Sequence, residues 1–155
     1  MADTVRAVSE AFVGAVEFPD GTVVQGRGRR EGLPGGIEPT FGLHLGKPQE
    51  LGLPWPCAWI AWPDFWVPTD FDAAVSAITD AFQRAKEGER VEVACGGGNG
   101  RTGTVLATMA VLAGVEPTQA VAWVRANYRS RAVETPWQKR WVLRFARRVA
   151  AGGAD

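Results

Sequence analysis

At 155 residues, 46% of them hydrophobic and 22% charged, the chain falls in the single-domain range and can bury a proper core. Seventeen basic residues balance seventeen acidic ones, so no global field draws it to nucleic acid or an anionic membrane, and any anion recognition must be local. Two cysteines, Cys57 and Cys95, are too few for a disulfide framework and fit a reducing compartment.

The opening MADTVRAVSEAF lacks the basic and apolar regions of a signal peptide, and no run is long enough to span a bilayer. A cytoplasmic protein without a membrane partner is expected. Arginine far outnumbers lysine and alanine and glycine abound, the coding bias of a GC-rich, bacterial genome. Short runs of strand character follow: AFVGAVEF, TVVQG, FGLHL and CAWIAW. Turn-rich stretches separate them: FPDG at 18–21, GRGRREGLPGG at 26–36 and GKPQELGLPWP at 46–56. FPDG predicts a hairpin. Arg27, Arg29 and Arg30 read as members of a solvated loop, with a substrate-facing patch as the alternative, and the sole histidine, His44, as a satisfied sheet residue.

From residue 70 helical periodicity takes over. Asp70 or Asp72 caps a helix through AAVSAITDAFQRAKEG, which Gly88 closes. RVEVA at 90–94 is a strand, and helix resumes from Arg101 to about Leu112. Pro117 opens a third helix, and a last one starts near Thr135-Pro136. This alternation predicts an α/β fold with a central, mostly parallel sheet of four to five strands flanked by helices. The expectation is one domain over 1–155, with strands and loops in 1–56 and helices over 101–150.

VACGGGNGRTGT at 93–104 parses as three different phosphate loops. Gly98, Gly100 and Gly103 spell the G-x-G-x-x-G of a dinucleotide site, and CGGGNGRT is a near miss to G-x-x-x-x-G-K-[ST]. All three readings need a strand, a glycine turn and a helix amino terminus whose amides face an anion. The dinucleotide reading also needs an acid closing a second strand, yet Glu116 lies between two helical stretches. The nucleotide loop fails because Cys95 replaces its first glycine and Arg101 its lysine. The third reading uses those two residues. Inward amides and a helix terminus favour thiolate, and an arginine six positions on can grip two phosphoryl oxygens.

On these residues the chain resembles the protein tyrosine phosphatase superfamily. CGGGNGRTG matches C-x-x-G-x-x-R-[ST]-G at Cys95, Gly98, Arg101, Thr102 and Gly103. AWPDF matches the W-P-D loop at Trp62, Pro63 and Asp64, within a stretch expected at 62–66, and VETPWQ is similar to the glutamine-bearing loop at Gln138. Many members carry histidine before the nucleophile, where this chain has Ala94.

The resemblance implies the fold of that family and a division of labour. Cys95 would be the nucleophile, with Arg101 and the amides of Gly96, Gly97, Gly98, Asn99 and Gly100 holding the phosphoryl group in the loop 95–101. Asp64 would be general acid and then base. Thr102 would donate to the cysteine sulfur, and Gln138 would position water, with Glu134 where some members have glutamine. Trp62 is either a hinge of the acid loop or a core residue. No metal or cofactor is implied. The expected partner is a phosphorylated protein or peptide, phosphotyrosine first, with phosphoserine and phosphothreonine open because the short chain resembles the dual-specificity group. GGGNG holds no cation, which disfavours polyphosphorylated lipids. The alternative is a phosphate- or phosphopeptide-binding module with little turnover, suggested by Ala94 and by the entropy cost of ordering so many glycines. A disulfide between Cys57 and Cys95 under oxidation is a further expectation to test.

Overall fold

Four apolar stretches, VVQGRG, FGLHL, CAWI and VEVAC, become parallel neighbours in one sheet, and a fifth strand joins its edge. The computed structural model describes residues 11–153; the first ten residues of the opening stretch lie outside it. Strand β1 (Ala15–Glu17) runs antiparallel to β2 (Val23–Gly28), with Val16 opposite Val24. The FPDG turn between them closes on Gly21, which takes φ 89° and donates to the Phe18 carbonyl. Strands β3 (Phe41–Leu45), β4 (Cys57–Ile60) and β5 (Val91–Cys95) complete the order β1-β2-β5-β3-β4, in which only β1 is antiparallel. The predicted mostly parallel sheet is therefore present, with β5 at its centre.

Side chains alternate across a strand, so the register sorts the sheet into two unlike faces. Val91, Val93 and Cys95 share a face with Val24, Leu43 and Ile60, and these join the apolar residues of the helices in the core. The opposite face carries Gln25, Arg27, His44 and Glu92, all buried. Unpaired, such charges would oppose folding. Here Glu92 accepts from Arg27 Nε at 2.6 Å, from His44 Nε2 at 2.9 Å and from Trp55 Nε1 at 2.8 Å. Burial alone pushes the Glu92 carboxyl up, but the interactions with His44 and Arg27 prevail and hold it below the usual carboxylate range.

Four α-helices follow the sequence pattern closely. Asp70, rather than Asp72, caps α1 (Phe71–Lys86), accepting from the Ala73 amide at 3.0 Å. Asp72 instead pairs with Arg148 of the last helix. Gly88 ends the turn after α1 at φ 98°. Helix α2 (Gly100–Leu112) follows β5 directly; α3 (Ala120–Asn127) is entered through a 3-10 turn at Pro117–Gln119. The last, α4 (Pro136–Gly153), starts at Pro136.

The solvated loop expected around GRGRREG is a correction. Strand β2 continues through Gly28 and carries Arg27 into the sheet, and Arg29 is half-buried behind it. The two glycines that read as loop signals are sites of close approach: a Cβ on Gly26 would stand 2.6 Å from the Tyr128 ring, and one on Gly28 would stand 2.6 Å from the Gly97 backbone. Of the three arginines only Arg30 is exposed.

Candidate active site

The loop 95–101 leaves the carboxyl end of the central strand and enters α2 at Gly100, which is where a parallel sheet places its ligands. The Gly98 amide donates to Cys95 Sγ at 3.1 Å. The outward carbonyls of the loop are held from outside. Gly96 O accepts from the Arg30 amide at 3.1 Å, Gly97 O from Arg129 Nη1 at 3.2 Å, and Gly98 O from the Tyr128 hydroxyl at 2.6 Å. Asn99 O accepts from the Gly103 amide at 2.9 Å. Burial raises the Tyr128 phenol far above its ordinary value, so it donates as a neutral group across the physiological range.

This pinning also explains the glycines. At Gly98, φ is 80° and a Cβ would stand 2.5 Å from the Gly28 amide nitrogen. At Gly100 the Glu134 carboxylate occupies the space a side chain would need.

Arg101 is nearly buried, and its Nη1 donates to the Trp62 carbonyl at 3.0 Å. Its Nε faces Asp64 Oδ1 at 3.5 Å without a hydrogen-bond partner of its own. One side chain thus joins the phosphate loop to the acid loop. Asp64 is exposed, and Oδ1 accepts from the Phe65 amide at 3.0 Å while Phe65 takes φ 59°. Three side-chain N–H groups hold the rest of this loop: Trp62 Nε1 on Trp66 O at 2.7 Å, Gln138 Nε2 on the same carbonyl at 3.1 Å, and Trp137 Nε1 on Phe65 O at 2.5 Å. Trp62 itself is buried against Trp141, with ring centroids 5.6 Å apart, a core position.

Thr102 is fully buried, and its hydroxyl has no hydrogen-bond partner; no bond to the cysteine sulfur is formed. Gln138 is also fully buried and is half of a capping box. Its Oε1 accepts from the Glu134 and Thr135 amides at 2.9 and 3.2 Å, while its own amide donates to Thr135 Oγ1 at 3.2 Å. Its side chain therefore connects α4 to the acid loop.

A pocket of about 70 Å³ is lined by Cys95, Gly97, Asn99, Gly100, Asp64, Phe65, Glu134 and Arg30. Sequence reasoning named Cys95, Asp64 and the loop, and the fold brings them to one cavity. It put Arg29 and Arg30 first in a solvated loop, because the turn-rich composition of GRGRREG disguised their place, and kept a substrate-facing patch only as the alternative. Arg29 lies behind the loop, donating to Ala94 O and Leu45 O, each at 3.0 Å. Its Nη1 also stands 3.3 Å from His44 Nδ1; arginine can only donate, so Nδ1 accepts and His44 Nε2 donates to Glu92. Burial, with Arg101 and Arg27 nearby, lowers the Arg29 guanidinium from its ordinary value, but it stays charged.

Two other groupings resolve against function. His44, Cys57 and Glu92 put ligand atoms within 4.8 Å of one another, but both Glu92 oxygens are taken and Arg27 beside them opposes a divalent cation. Cys57 cannot reach Cys95. It lies two strands away, about 9–10 Å across the sheet at ordinary strand spacing, level with Glu92 and so three residues short of Cys95, and on the opposite face, beyond disulfide range.

Comparison with known proteins agrees with this geometry. Residues 57–148 match the family model described as "Swiss Army Knife protein, DSP-PTPase phosphatase domain". An uncharacterized protein of Methanocaldococcus jannaschii is 38% identical over 95 residues, 60% of this chain and 61% of its own. The chain spans about three fifths of the length of the curated relatives it matches. Among solved structures, Tk-PTP in its active form superposes with a TM-score of 0.66 at 22% identity, covering 88% of this chain and 98% of that one. Human DUSP28 gives 0.61 at 14% identity, covering 73% and 80%. At these identities the likeness is one of fold. No helix among the described residues is long and apolar enough to cross a membrane.

Proposed function

Because the chain belongs to the DSP-PTPase phosphatase domain family of Swiss Army Knife proteins, we propose that it hydrolyses phosphate monoesters of proteins or peptides through a phosphocysteine. Phosphotyrosine is the first substrate, with phosphoserine and phosphothreonine as further ones. The acid loop 62–66 and the phosphate loop 95–101 act within one phosphatase domain, in the cytoplasm.

The observation that carries this reading is the bridge made by Arg101. It starts from the loop that Cys95 opens, holds the Trp62 carbonyl and faces Asp64 at 3.5 Å, so it ties together the two loops whose Cys95 and Asp64 line one small pocket. Cys95 Sγ attacks phosphorus as the P–O ester bond breaks. Asp64 gives its proton to the leaving oxygen, and Arg101 with the loop amides balances charge on the equatorial oxygens. Asp64, now a carboxylate, takes a proton from water as that water's oxygen displaces the thiolate and releases phosphate.

Thr102 Oγ1 and Arg101 Nε, two buried donors with no hydrogen-bond partner, supply further bonding capacity beside the loop. Gln138 serves best as a positioning residue, because its carboxamide is engaged by the cap and by Trp66. The test is phosphate release from aryl phosphates and phosphopeptides in EDTA. Wild-type protein is expected to turn over and Cys95→Ser to be silent. Activity surviving in Cys95→Ser, or lost to EDTA, would overturn the mechanism. Tight phosphopeptide binding without phosphate release would favour the binding-module alternative.

A further inference from the structure

The cation missing from GGGNG is delivered by another segment. Arg30 follows β2, and its amide is fixed to Gly96 O at 3.1 Å, which sets the residue on the phosphate loop. Its guanidinium lies across two glycines. A Cβ on Gly96 would stand 2.6 Å from Arg30 Nη1, and one on Gly97 would stand 3.1 Å from Nη2.

The neighbouring arginines are all engaged. Arg27 pairs with Glu92, Arg29 binds two carbonyls, Arg101 binds Trp62 O and faces Asp64, and Arg129 pairs with Glu31 at 2.8 Å. Arg29 and Arg30 make no ion pair, and of this group Arg30 alone also makes no side-chain hydrogen bond among the described residues. A pocket of about 70 Å³ has room for a phosphoryl group, so an exposed guanidinium at its mouth meets what is attached to that group. On the acid-loop side the rim is aromatic, with Phe65, Trp66 and Trp137 exposed and the two indoles 5.4 Å apart. A guanidinium on one side and an aromatic shelf on the other suit an extended peptide more than a compact phosphorylated polyol.

We propose that Arg30 is a specificity-determining residue that pairs with a second anionic group on the substrate. The favoured substrates are phosphopeptides with an acidic side chain beside the phosphorylated residue. The proposal rests on the phosphatase reading for its substrate, but its test does not require turnover.

Binding to the Cys95→Ser protein is measured for matched phosphopeptides carrying Asp or Asn next to the phosphoresidue, and for inositol bisphosphate. The Asp peptide is expected to bind about fivefold more tightly at low salt, a preference that fades as ionic strength rises. In Cys95→Ser/Arg30→Gln the ratio should fall to about one, and Arg30→Lys should retain part of it. Equal binding of the two peptides, or a ratio that survives Arg30→Gln, overturns the proposal. Tighter binding of inositol bisphosphate than of the Asp peptide also overturns it. Wild-type protein that binds with this ratio but releases no phosphate would sink the phosphatase reading and leave Arg30 in its assigned role.

Discussion

Arg101 makes two contacts that a shorter or rounder cation could not make together: Nη1 on the Trp62 carbonyl and Nε toward Asp64. Lysine offers a point charge instead of a fork, so Arg101→Lys is expected to lower kcat about 10²–10³-fold, read by steady-state kinetics on an aryl phosphate. Asp64→Asn removes the proton donor and should cost about 10²–10⁴-fold, with KM nearly unchanged because the loss falls on the transition state. At this scale the sequence was most legible. Cys95, Arg101 and Asp64 are chemical necessities of the proposed reaction, and their types and spacing stand out against any background. Thr102 and Gln138 were legible only as positions, since their partners depend on neighbours that no local pattern specifies.

The phosphate loop, taken as an element, is held by its surroundings. Its run of glycines makes it costly to order, and each carbonyl from Gly96 to Asn99 meets a donor, while Gly96, Gly98 and Gly100 sit where a side chain would collide. Tyr128→Phe removes the hydroxyl from Gly98 O and is expected to cost about 1 kcal/mol in urea denaturation, leaving Gly98 O less well held. The acid loop is pinned more lightly, from the first turn of α4. Trp137→Phe loses the indole bond to Phe65 O, and faster amide exchange over 64–67 with an unchanged melting temperature is the expected result. Uniform acceleration across the sheet would instead mean that Trp137 supports the core. Helix starts at Asp70 and Pro136 and the FPDG turn were readable because caps and turns are local chemistry. The end of β2 was not, because Gly26 and Gly28 carry the letters of a loop and the packing of a strand.

Across the whole molecule, the buried face of Arg27, His44, Trp55 and Glu92 links three strands to the segment before β4. Glu92→Gln leaves Arg27 buried without its counter-charge and is expected to destabilise the fold by about 3–5 kcal/mol, measured by chemical denaturation. The sign of the pH dependence follows from the depressed Glu92 carboxyl. Its stabilisation is complete above the unfolded-state value, about pH 4.3, and is lost as pH falls through the lower folded value. Wild-type stability should therefore drop on acidification, and the Glu92→Gln protein should drop less steeply over the same range.

By itself the sequence determined the parallel α/β sheet, the order of the helices and the three residues around which the reaction is proposed. Hydrophobic periodicity, capping and nucleophile chemistry all act over a few residues or through fixed residue types. Only the tertiary structure decided which arginines are structural and which faces the pocket. GRGRREG is one local string, but the sheet register buries Arg27 against Glu92, directs Arg29 to the carbonyls behind the loop, and lays Arg30 over Gly96. A charge takes its role from what surrounds it, and those surroundings come from strands far apart in the chain.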